Sequence, residues 1–237
     1  MEGITMRKNI DSLLGFAILA ADGELGKVRD FYFDDESWKL RYLVVHTGSW
    51  LLGRKVLLSF ASVKKINCEE GTFSVDLTCD QVRHSPDIDT EKPVYRQHEE
   101  ELHEHYMIPA YWMSTPGGIW GITNYPYPEP TMPVNEDFEN EEYEKKEVDS
   151  KQEEDEQKQH LRSTHEVTNY LVHATDGEIG HVKDFLIDMK TGIITDLVID
   201  TRNLLSGRKV LLSTKRIKRI EIGRHTSELQ SRGHLVC

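Results

Sequence analysis

The chain has 237 residues, with 29 Lys and Arg against 41 Asp and Glu, for a net charge of −12. Phosphate affinity rests on Lys and Arg, so this balance disfavours nucleic-acid binding through a broad basic face. The cysteines Cys68, Cys79 and Cys237 follow no CxxC or Cys/His pattern, which excludes a disulfide framework or zinc ribbon and points to a reducing, cytoplasmic setting.

The first apolar run, from Leu13 to Ala21, is interrupted by Gly15 and is far shorter than the roughly 18–20 residues a membrane span needs, so no membrane insertion is expected. Phe16–Ala20 has the composition of a short strand, and Asp22-Gly23 supplies a turn. Lys27–Asp34 follows with imperfect alternation: Phe31 marks the buried face, while Val28, Asp30, Tyr32 and Asp34 share the other. After a second turn at Asp34–Trp38, Leu40–Thr47 is rich in Val and Leu, as a central strand should be. Lys55–Ser59, Val63–Asn67 and Thr72–Leu77 complete a set of six short strands, and closure into a small barrel would remove their exposed edges. Thr78 then caps a short helix ended by Ser85-Pro86, and Val94–Tyr106 forms a second helical stretch. A loop rich in Pro, Gly and aromatics runs to Pro133. Between Glu136 and His160 twelve acids face four lysines with almost no apolar residue, so this stretch is expected to be a disordered tether.

Residues 170–220 then repeat residues 16–66 without a gap, at a constant offset of 154, with about two positions in five identical. The second copy therefore predicts strands at Tyr170–Ala174, Gly180–Asp188, Ile193–Thr201, Lys209–Leu212 and Ile217–Ile222. Phe31 and Phe185, Val44 and Val198, and Leu57 and Leu211 are expected at equivalent buried positions. Each unit is only about 70–80 residues long, near the limit for an independent core, so the copies should pack on each other or on another subunit. Past Ile222 the repeat fails. GRHTSELQSRGHLVC has no periodicity and resembles a translated sequencing adapter, so residues 223–237 are expected to be a non-native tail outside the fold. The expected organisation is a first barrel over 8–84, a helical and aromatic connector over 85–134, an acidic linker over 135–162, and a truncated, weaker second barrel over 163–222.

The motifs DGELGKVRDFYFDD, RYLVVHTG and GRKVLLS in copy one, with DGEIGHVKDFLID and GRKVLLS in copy two, resemble the PRC-barrel family. That family is named for the cytoplasmic domain of the photosynthetic reaction-centre H subunit, and related barrels form the C-terminal domain of a ribosome maturation factor. The stretches SPDIDTEKPV (85–94), RQHEEELHEHY (96–106) and PAYW (109–112) are similar to bacterial proteins with two such barrels in tandem. The resemblance implies an all-β protein: two small antiparallel barrels joined by a helical and then disordered acidic linker. It also implies a non-catalytic scaffold or adaptor that binds another protein or a membrane-protein complex, with self-association as a further option. The alternatives are an electron-transfer accessory in photosynthesis and a ribosome-assembly or RNA-processing adaptor. The membrane helix of H subunits and the N-terminal domain of maturation factors are not expected here.

No nucleophile–base pair and no phosphate-cradling glycine loop stands out, so neither catalysis nor a cofactor is expected. Asp22, Glu24 and their counterparts Asp176 and Glu178 give too few oxygens for calcium, and a turn with a close backbone approach at Gly26 is the simpler expectation. His98, Glu101 and His105 share a helix face at metal-ligand spacing, but Leu102 breaks the zincin pattern and a polar helix burying Leu102 and Tyr106 explains the stretch without metal. Candidate partner-binding residues are Arg54 and Lys55, Arg208 and Lys209 after paired glycines, and the aromatics Tyr111, Trp112 and Trp120. The competing account is a loop leading into an edge strand, with the cations solvated or paired to Asp30 and Asp184.

Overall fold

A computed structural model of the chain describes residues 6–86, 94, 96–113, 160–175, 177–201, 208–221 and 234–236. The aromatic loop beyond Met113 and the acidic tract up to Gln159 lie outside the described residues. Two compact units result: Met1–Val94 with His160–Cys237, holding both copies of the repeat, and Tyr95–Gln159.

Copy one begins with β1 (Arg7–Asn9) and continues through β2 (Ala17–Leu19), the long β3 (Glu24–Asp34), β4 (Lys39–His46), β5 (Lys55–Ser59), β6 (Val63–Asn67) and β7 (Thr72–Val75). Helix α1 (Cys79–Arg83) follows, capped as expected: Thr78 Oγ1 accepts from the Gln81 amide while the Gln81 side chain accepts from the Thr78 amide. In the second unit lies α2 (Arg96–His105). Copy two contains β8 (Leu161–Ser163), α3 (Thr164–Val167), β9 (Leu171–Ala174), β10 (Gly177–Asp188), β11 (Ile193–Asp200), β12 (Lys209–Ser213), β13 (Arg219–Glu221) and β14 (His234–Val236).

Each copy is a curled six-stranded sheet. The order is β5-β4-β3-β2-β7-β6 in copy one and β12-β11-β10-β9-β14-β13 in copy two. The sheets are not wholly antiparallel, because β7 runs parallel to β2 and β14 parallel to β9. The cause is local. After β5 a single 3-10 turn at Phe60–Ser62, with Ser59 Oγ accepting from the Ala61 amide, bends the chain without reversing it. β6 therefore continues in the sense of β5, and β7 returns alongside β2.

Inside copy one Val28, Phe31, Phe33, Leu43, Val45, Leu58 and Phe73 are fully buried, each removal from water worth about 2 kcal/mol. Strict alternation along β3 fails because bulges at Val28/Asp30 and Tyr32/Phe33 shift the register, which turns Val28 inward together with Phe31. Copy two carries the same first bulge between Val182 and Asp184. Gly26 and Gly180 sit where the long strand crosses the end of its neighbour: a Cβ would lie 2.1 Å from the His46 carbonyl oxygen, or 2.3 Å from that of Asp200. The close approach expected at Gly26 is therefore real.

Two elements depart from the sequence expectation. The first is an exchange of arms. β1 pairs with β10 of the other copy, Arg7 opposite Asp188 and Asn9 opposite Leu186, while β8 pairs with β3, Leu161 opposite Asp34 and Ser163 opposite Tyr32. Both relations obey the offset of 154, so the repeat extends to residue 7 although residues 7–15 and 161–169 share almost no identity. The second is the tail. Residues 234–236, expected to lie outside the fold, form β14 between β13 and β9, with Leu235 buried at the site of Phe73. The gap between β13 and β9 leaves two rows of backbone groups to pair, and a Leu-Val step suits it. Copy two thus has a sixth strand in the place that β7 takes in copy one.

At the junction of the copies the pseudo-two-fold relation is explicit. Lys39 pairs with its own equivalent, Ile193. Leu40 N–H donates to the Gly192 carbonyl and Ile194 N–H to the Trp38 carbonyl, both at 2.8 Å.

Candidate interaction surfaces

The acids shared by the long strands of the two copies hold the exchanged arms. Asp30 Oδ1 accepts from the Thr164 hydroxyl at 2.7 Å and the His165 amide at 3.1 Å, and its Oδ2 accepts from the Ser163 hydroxyl. Asp184 does the same for the other arm, taking Asn9 Nδ2 at 2.5 Å and the Asp11 amide at 3.2 Å. A charge-assisted clasp of this kind is stronger than neutral hydrogen bonds of the same number. Asp30 and Asp184 are therefore committed to the arms, which removes the paired form of the competing account and leaves its solvated form.

Arg54 and Arg208 occupy equivalent loops in different surroundings. Arg54 Nη2 donates to the Ser85 carbonyl at 2.8 Å and Nη1 to the Arg83 carbonyl at 3.5 Å, tying the segment after α1 to the start of β5. This is a structural duty. Arg208 is exposed, as are Lys55 and Lys209. The strands that follow are identical in sequence, KVLLS, but β12 is less buried than β5 throughout its last four residues. Leu57 is 2% exposed and Leu211 is 60% exposed, although their cross-strand partners Val44 and Val198 are both buried. Phe31 and Phe185 are buried together as expected, but the pairing of Leu57 with Leu211 as two buried residues is wrong. Among the described residues copy two has no counterpart of α1, and Leu211 stands exposed on β12. No local signal could show this, because the two pentapeptides are the same.

The aromatics of the second unit fold back on α2. Tyr111 hydroxyl donates to Glu99 Oε1 at 2.6 Å, Arg96 Nη1 meets Glu99 Oε2 at 2.8 Å, and the Arg96 guanidinium lies 4.2 Å from the Trp112 ring centre. His103 packs edge-on to Trp112 at 4.7 Å while its Nδ1–H donates to the Ile108 carbonyl at 3.0 Å. The pair is thus engaged internally, with cation–π and ion-pair contacts fixing both rings. Trp120 lies outside the described residues. Leu102 and Tyr106 are buried, as the polar-helix account expects. Glu101 is exposed and His105 stacks edge-on to Tyr106, and no cluster of three metal-ligating side chains occurs among the described residues.

Near the first hairpin, Asp22 Oδ1 accepts from the Cys79 amide at 2.8 Å, which holds the Asp22 carboxyl below its usual range and binds the turn to α1. Burial and the same carboxylate push the Cys79 thiol up, away from thiolate chemistry. Asp176 falls outside the described residues. The described residues contain no helix long and apolar enough to cross a membrane.

Two small, mostly β barrels made from one duplicated unit define the class of protein. Residues 7–82 and 164–233 each match the PRC-barrel domain, and the chain belongs to that family. A comparison with curated proteins finds none that matches it.

Proposed function

We propose that the protein is a non-catalytic scaffold whose second barrel presents a docking face to an acidic, apolar segment of another protein. PRC-barrel domains are generally non-catalytic, which agrees with this reading. The observation that carries it is the contrast at one pair of equivalent strands: Leu57 is closed in copy one while Leu211 is open, with the exposed cations Arg208 and Lys209 beside it. An apolar anchor rimmed by like charges suits a partner segment of opposite charge.

The test is a photo-crosslinking residue placed at position 211 in the full chain and expressed in the native host. Position 52 serves as the control, since Leu52 is 98% exposed on the first barrel. A protein captured from position 211, absent at position 52 and lost when Lys209 is changed to Glu, supports the reading. Equal capture at both positions sinks it. The identity of the captured protein then separates a general scaffold from an accessory of a pigment or quinone complex, or from a ribosome-assembly adaptor.

A further inference from the structure

The two copies meet through equivalent residues, and at three of them copy one carries the larger side chain. Copy one places Phe33, Trp38 and Phe60 where copy two places Ile187, Gly192 and Thr214. The contrast is greatest at Trp38 against Gly192 and Phe60 against Thr214. Trp38 adopts φ +58 and Gly192 φ +70, so the backbone turns are alike and the side chains alone differ. Trp38 stacks on Phe33 at 5.4 Å, and Phe33 reaches across to Phe185 of copy two at 5.8 Å.

The space over Gly192 is filled from the other copy: a Cβ there would lie 2.7 Å from Phe60 Cε1 and 3.2 Å from Cδ1. By the pseudo-two-fold relation the position that faces Trp38 in this way is 214, where copy two has only a threonine. Thr214 is buried and donates to the Ile194 carbonyl at 3.1 Å, and Ile194 N–H in turn donates to the Trp38 carbonyl. Across the axis Phe60 therefore sits against Gly192, and the pseudo-two-fold relation sets Trp38 opposite Thr214.

We propose that this junction is a size-keyed interface that accepts one copy of each kind and refuses two of the same kind. Two first copies would set Trp38 against Phe60 on both sides of the axis, and interiors tolerate overpacking poorly. Two second copies would set Gly192 against Thr214 twice and leave cavities at the centre of the contact. The barrels are then an obligate unlike pair, and the exchanged arms close only around that pair. This goes beyond the scaffold reading and does not depend on it.

The experiment exchanges side chains between copies in the full-length chain. A half exchange carries Phe33→Ile, Trp38→Gly, Ile187→Phe and Gly192→Trp, which sets Trp against Phe60 on one side and Gly against Thr214 on the other. A full exchange adds Phe60→Thr and Thr214→Phe and restores large against small in the reverse sense. Thermal unfolding and hydrogen exchange at the Leu40 and Ile194 amides are read for each. The half exchange should lower the melting temperature and deprotect both amides, and the full exchange should recover about half the loss or more, since adjacent packing substitutions couple. If the half exchange fails to fold, a folded full exchange supports the key and an unfolded one overturns it. A half exchange as stable as the parent, or a full exchange no better than the half, also overturns it.

Discussion

Asp34 ends β3 and holds the turn into β4: its Oδ1 accepts from the Ser37 amide and hydroxyl, both at 2.7 Å, and its Oδ2 meets Arg41 at 3.5 Å. Burial works to raise its pKa, but these donors and the Arg41 charge outweigh it and hold the carboxyl below the ordinary 3.8. A depressed folded value stabilises the fold above the unfolded pKa, and that contribution is lost as pH falls through the folded value. Asp34→Asn should therefore lower the urea midpoint at neutral pH and flatten its fall toward about pH 3. An unchanged acid limb would show that Asp34 does not contribute. The next residue has the opposite sign. Burial raises Asp35 in spite of Arg162 and His160, so its contribution is greatest at low pH and declines as pH rises through the folded value. At this scale the sequence was legible where a residue acts through its own backbone. Gly26 could be read because only glycine fits so close to a carbonyl, and Gly26→Ala should cost several kcal/mol, on the order of 3 or more, by chemical denaturation. Asp30 and Asp184 could be seen to recur, but not what they hold, since their partners lie far away in sequence and differ between copies.

Among the elements, the exchanged arms were invisible to the alignment because β1 and β8 share a register but not a sequence. Their anchors differ too. The β8 arm adds a nearly buried ion pair, Arg162 Nε to Asp35 Oδ2 at 2.9 Å, flanked by His160 Nδ1 at 3.1 Å. The β1 arm has at the same end the exposed Arg7, 3.3 Å from Asp196. Removing one member of a buried pair leaves the other charge without compensation, so Arg162→Ala should cost about 3 kcal/mol, whereas Arg7→Ala should cost less than about 1 kcal/mol. Adding Asp35→Asn to Arg162→Ala should recover part of the loss, and a double variant as unstable as the single one would show that Arg162 acts through packing alone. The strands β4 and β5, by contrast, were legible: they fall on the Val- and Leu-rich segments, because a largely buried sheet selects such residues. What the pattern could not give was the sense of β7. That depends on the one-turn bend at Phe60–Ser62, which has no sequence signature of its own.

For the whole molecule, exchange of arms changes what stability means for either copy. β1 completes the edge of β10 and β8 completes that of β3, while Phe33 and Phe185 join the two cores. Neither barrel can unfold without stripping an arm from the other, so the pair should melt in one cooperative transition, with calorimetric and van't Hoff enthalpies in agreement. The most informative perturbation lies at the far side of copy two. Leu235 is fully buried in β14, between Ile220 and Val172. A charge there would be buried without a partner, and Leu235→Asp should cost on the order of 3 kcal/mol. If the copies are coupled, amides in β3 and β4 of copy one should lose protection along with those of β9 and β10, though the substitution lies in copy two. Loss of protection in copy two alone, or two separate melting transitions, would mean that the barrels are independent modules and that the exchanged arms are a surface feature. A variant as stable as the parent would mean that β14 adds nothing to the fold, returning residues 223–237 to the status their sequence suggests.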